Sequence, residues 1–113
     1  MILSRESILA MADLPTKDIE VPEWGGTIRV KTLSAGEREQ WETSCLGEKG
    51  KPRQIRASLA VVACVSDDGK PLFTQADIDT LGAKSGKALD RIFDAACELN
   101  GIGRRDVDEL AKN

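Results

Sequence analysis

The sequence predicts an α+β fold: a mainly helical single domain of about five helices with one N-terminal antiparallel β-hairpin. Three observations predict it. "KDIEV" and "TIRVKTL" alternate apolar and charged residues, the period of a half-buried strand. Most of the remaining segments carry apolar residues three or four apart, between recognisable caps. The length of 113 residues suits one core and not two, so residues 1–113 are read as one domain.

In chain order, "ILSRESILAMADL" reads as a short opening helix. Ser4 is its N-cap, and Leu3 and Ile8 are placed to form a hydrophobic staple. Pro15 limits it, because the residue before a proline avoids the α region. The two strands follow. Pairing Val21 with Ile28 sets Ile19 against Val30 on one face. On the other face it sets Glu20 against Arg29 and Asp18 against Lys31. Each such pair contributes roughly 0.2–1 kcal/mol, and a slip of one residue would lose both sets. In this register Pro22 meets Thr27, and Glu23-Trp24-Gly25-Gly26 form the tip, with the glycines supplying positive φ.

"LSAGEREQWETSCL" reads as a helix opened by a capping box, Ser34 to Glu37, with Trp41 and Cys45 on one face. "GEKGKPR" is a loop by composition. "RQIRASLAVVACV" is the strongest core helix, with Ile55, Leu59, Val62 and Val65 in register. "SDDGKPLFTQADIDTLG" reads as a turn at Asp68-Gly69, a short extended piece and a helix. Thr74 caps that helix, Asp77 sits third, Phe73 is placed to staple to Ile78, and Gly82 ends it. "SGKALDRIFDAACELNG" presents Leu89, Ile92, Phe93, Ala96 and Leu99 to the core and stops at Asn100-Gly101. A last short helix, "RRDVDELAKN", starts with Arg104 and Arg105 against its own dipole.

The chemistry is mostly exclusion. With no histidine in the chain, the commonest general base and metal ligand are missing. The three cysteines, Cys45, Cys64 and Cys97, are widely spaced and read as small buried hydrophobes. No glycine-rich phosphate loop is present. "DDGKPLFTQAD" lacks the alternating carboxylates of a calcium loop. The paired carboxylates Asp67/Asp68 and Asp77/Asp79 suit turns and caps. No enzyme activity, cofactor or metal is therefore expected. A net charge of −3 with interspersed signs gives no footprint for nucleic acid. No apolar run approaches the ~20 residues that span a bilayer, and the N-terminus lacks a signal-peptide layout. What remains is a cytoplasmic binding or assembly protein.

Several stretches, taken in order, sharpen this. They are "LSRESILAMADLPTKDIEVPEWGGTIRV", "LSAGERE", "SDDGKPLFTQADIDTLGAKSGKALDRIFDAACELNGI" and "DVDELAKN". Together they resemble the tail assembly chaperones of long-tailed bacteriophages, the siphophages and their prophages. The resemblance covers nearly the whole chain. Its most specific pieces are the "VPEWGG" turn, the "DGKPLF" turn and the "LNG" before "ELAKN", all fold signatures.

The resemblance implies a protein that binds the tape measure protein and keeps it soluble while tail tube protein polymerises around it. It implies action in the host bacterial cytoplasm and absence from the mature virion. It also implies a longer form made by ribosomal frameshifting, through which tail tube protein would be contacted. Codons GCA-AAA-AAC for Ala111-Lys112-Asn113 would supply a slippery site. Self-association is compatible with coating a long chain.

No family motif assigns contact residues, so the candidates come from chemistry. Trp24 either binds a partner or packs over the hairpin end. Trp41 is either a hot spot or an anchor of its helix to the hairpin. Val107 and Leu110 either meet a partner or dock on the domain. Two rival readings remain, a structural tail component (terminator or adaptor) retained in the virion and a small DNA-binding regulator. The acidic balance opposes the second.

Overall fold

In the computed structural model, residues 1–46 and 54–103 are described. The expected loop over 47–53, the last helix, Val107, Leu110 and the terminal Ala111-Lys112-Asn113 lie outside them. The elements are α1 (Arg5–Leu9), β1 (Thr16–Val21), β2 (Gly26–Lys31), α2 (Ala35–Leu46), α3 (Ile55–Ala63), β3 (Cys64–Val65), α4 (Ile78–Gly82) and α5 (Gly86–Asn100). This is the expected α+β class, mostly helical, with an antiparallel sheet of order β1-β2-β3.

The hairpin forms with its faces as expected, but its register differs by two residues. Ile19 lies opposite Ile28, Asp18 opposite Arg29, Glu20 opposite Thr27 and Val21 opposite Gly26. A shift of two keeps every side chain on its face, so alternation could not discriminate between the registers. The turn decides. Pro22 has no N–H for a ladder, and its fixed φ suits the first position of a helical turn. Pro22–Trp24 form one 3-10 turn, and Gly25 closes it at φ 69°. Only that glycine of the pair needs positive φ; Gly26 is already in β2. The charges regroup accordingly. Arg29 makes a two-pronged bond to Asp18 at 2.7 and 3.1 Å. Lys31 turns away to Glu37, at 2.5–2.6 Å.

The sequence reading missed the third strand. α3 ends at Ala63, and Cys64 and Val65 pair with Val30 and Arg29 of β2. Val65 also bridges Pro71, across the turn at Gly69, which has φ 83°. The expected stripe on α3 is likewise too narrow. Ala57, Ser58, Leu59, Ala60, Val61 and Ala63 are all buried. This helix is enclosed on most sides, and its small residues allow close approach of its neighbours.

Two apolar clusters fill the interior. One joins Val21 and Val30 of the sheet to Ala60, Leu81, Leu89 and Ile92. The other joins Leu33, Trp41, Cys45, Leu59, Ala96 and Ile102. α3 and α5 contribute to both. Caps appear where expected, Ser34 with Glu37 and Thr74 with Asp77, and Ser85 adds one that opens α5. Gly101 closes α5 at φ 64°. The Thr74 box, however, caps a single 3-10 turn (Gln75–Asp77) that leads into α4.

α1 forms on its Ser4 cap but buries none of its residues. Every residue from 1 to 14 is exposed, including the expected staple pair Leu3 and Ile8. The exposed large apolar side chains among the described residues are Met1, Ile2, Leu3, Ile8, Leu9, Met11 and Leu14, plus Trp24 and Leu72. All but the last two belong to this N-terminal arm.

The side chain of Asn100 joins the end of α5 to the chain leaving β2. Its Oδ1 accepts from the Leu33 N–H at 2.7 Å. Its Nδ2 donates to the carbonyls of Lys31 and Ala96 at 3.3 and 2.9 Å. Asn100→Ala leaves the half-buried Leu33 N–H and Lys31 carbonyl without this partner. It should cost about 1–3 kcal/mol, measured as a lower urea midpoint with an unchanged slope.

Candidate functional site

Trp41 is only 1% exposed. Its Nε1 donates to Ser58 Oγ at 3.1 Å, and Ser58 Oγ donates in turn to the Ile55 carbonyl at 2.9 Å. The indole therefore fixes α2 against α3, within a cluster that reaches the end of α5. In this conformation it meets the chain's own side chains. Its burial follows from the face it shares with Cys45, also buried; Ser58, its polar partner, carried no signal in the sequence.

Trp24 is placed differently. It ends the 3-10 turn at the hairpin tip and is 37% exposed. The tip is held on α5 by Arg91, which donates to both oxygens of Glu23 at 2.8 and 3.1 Å. That bond holds the Glu23 carboxyl below its usual range. The Trp24 ring is thus an exposed aromatic beside a fixed backbone. The structure does not bring Trp24 and Trp41 together.

Beside the hairpin lies a shallow notch of about 470 Å³. It occurs because β3 covers only Arg29 and Val30, leaving β2 uncovered from Gly26 to Ile28. Ile28, Val65 and Leu72 supply its apolar lining, and Asp18, Arg29 and Asp67 its polar one. The notch has no signature in the sequence, because β3 lies within an apolar run that continues from α3.

Neither Cys64 nor Cys97 is an activated nucleophile. Burial pushes the Cys64 thiol up to about 12. Burial, with Asp94 nearby, raises Cys97 to about 11. Among the described residues no three His, Cys, Asp or Glu side chains gather as a metal site. No described helix is long and apolar enough to cross a membrane.

The geometry thus defines a small α+β domain whose accessible features are surfaces, a tip, a notch and an apolar arm. Residues 5–113 match the family model described as phage tail assembly chaperone, and the chain belongs to that family. Among solved structures it is similar to the tail assembly chaperone of bacteriophage HK97, at 20% identity and a TM-score of 0.61. That match covers 83% of this chain and 90% of the other, and it bears on the fold. A comparison with curated proteins found no match.

Two outcomes test the tip and the core. Iodide should quench Trp24 and leave Trp41 shielded, with fluorescence of Trp24→Phe and Trp41→Phe variants assigning each ring. Glu23 and Asp18 both have depressed carboxyls in the folded chain, held down by Arg91 and Arg29. Their stabilisation is therefore present above the ordinary values of 4.5 and 3.8, and is lost as pH falls through the lower folded values. The Trp24 indole resonance should shift with a midpoint below 4.5, and Glu23→Gln should abolish that step.

Proposed function

We propose that this phage tail assembly chaperone binds the tape measure protein non-covalently and keeps it soluble during tail tube polymerisation. The observation that supports this is the family match over residues 5–113. A chaperone of tail assembly binds tail proteins, and the tail protein most in need of one is a very long helical chain. Its apolar stripes, exposed without a partner, aggregate. A helix laid against an apolar surface is the expected mode, and Trp24 is a candidate contact because its ring is exposed on a fixed tip. Val107 and Leu110, and the core residue Trp41, are the other candidates.

The same reading places the chain in the host bacterial cytoplasm during assembly, outside the mature virion. A longer form would arise by frameshifting at the codons for Ala111-Lys112-Asn113 and would engage tail tube protein. The gene decides this point: non-slippery codons with no overlapping second frame would remove it.

Co-expression with the neighbouring long helical protein tests the proposal. The expected result is a soluble, co-purifying complex; unchanged solubility with no co-purification contradicts it. Mass spectrometry of purified virions separates the structural-component reading, which requires the chain at stoichiometric level in the particle.

A further inference from the structure

We infer that β1 is a strand-addition site. Its open edge takes an extended segment of a partner protein in which apolar residues alternate with lysine or arginine. β1 has a strand on one side only, because the sheet runs β1-β2-β3. The Thr32 N–H bonds to the Pro15 carbonyl at 3.0 Å, which fixes the phase of the ladder. In that phase the backbone groups of Lys17, Ile19 and Val21 face their partners Val30, Ile28 and Gly26. Those of Thr16, Asp18 and Glu20 face away from β2, and no backbone group among the described residues bonds to them. All three residues are exposed. The register with β2 is continuous, so no bulge twists this edge away. Pro15 and Pro22, which cannot donate, bound it at either end. A row of unpaired N–H and C=O groups is a template for another strand.

The side chains select the occupant. Asp18 and Glu20 stand on the solvent face, and Ile19 is half-buried on the face that packs against the core. Glu20 enters no ion pair among the described residues. β2 shows the complement from the other side. It sets Ile28 against Ile19 and Arg29 against Asp18, apolar and basic residues in alternation. A segment of the same chemistry on the open edge puts an apolar residue beside Ile19 and cations opposite Asp18 and Glu20. A second copy of β1 fits poorly. Antiparallel pairing that engages all three outward residues sets Asp18 directly against Asp18, and like charges so placed repel. Main-chain bonds would supply the affinity of such a strand, and its alternate side chains the specificity.

This surface is separate from the tape-measure reading, which calls for a helical client, and its test uses no tail protein. The isotope-labelled full chain is titrated with acetyl-Val-Lys-Val-Lys-Val-Lys-amide and followed by NMR. The amide resonances of Thr16, Asp18 and Glu20 should shift most, and their hydrogen exchange should slow. Methylating the backbone nitrogens of the peptide's lysines should abolish binding, because those N–H groups face β1. Methylating those of its valines, which face away, should leave binding intact. Glu20→Lys should weaken binding about tenfold, with an unchanged circular dichroism spectrum. A lysine-methylated peptide that binds as well as its parent overturns the inference, since the contact is then charge attraction alone. So does equal binding of the peptide with glutamate in place of lysine, and so does the absence of shifts along β1 at millimolar peptide.

Discussion

The fold depends on the contact between the C-terminal end of α5 and the chain leaving β2. The Asn100 amide bonds to Leu33 N–H and to the carbonyls of Lys31 and Ala96. The Asn100 backbone carbonyl accepts from Arg38 at 3.1 Å. One residue thus ties the sheet, the start of α2 and the last turn of α5. The ion pair Lys31–Glu37 and the capping box of Ser34 sit in the same short connection. Half-buried backbone groups in that connection would otherwise lack these partners, and each would cost about 1–3 kcal/mol. With them satisfied, α2 is positioned to deliver Trp41 onto Ser58 of α3.

From this follows a division of the molecule. Between the sheet, α2, α4 and α5, the helix α3 is enclosed on most sides, and among the described residues the body exposes few large apolar side chains. Among the described residues, the large apolar side chains left exposed lie mostly in the arm. A chain that only needed to fold would gain nothing from such a segment.

Much of this was legible in the sequence, and the failures have physical causes. The hairpin, its charged and apolar faces, the three capping signals and the stop at Asn100-Gly101 all follow from local chemistry. The register did not, because a shift of two preserves every face and only the turn discriminates; Pro22 was the available clue. β3 was hidden because Val61 to Val65 is a continuous apolar run, which periodicity alone cannot assign to helix or strand. The family could be read from the order of its turns, "VPEWGG" above all. The candidate site was less legible. Trp41 on a polar helix suited either a partner hot spot or an anchor to the hairpin, and its buried indole bonds instead to Ser58 of α3, seventeen residues away. The openness of residues 1–14 is a tertiary fact, since an amphipathic segment looks the same whether its own body or a partner covers it.

The account rests on a closed body and an open arm, and hydrogen exchange of the dilute chain measures both at once. The Leu33 amide and those of the last turn of α5 should exchange only through global unfolding, while amides of residues 2–14 should exchange with little protection. Fast exchange at Leu33, or core-level protection of the arm in the monomer, would contradict it.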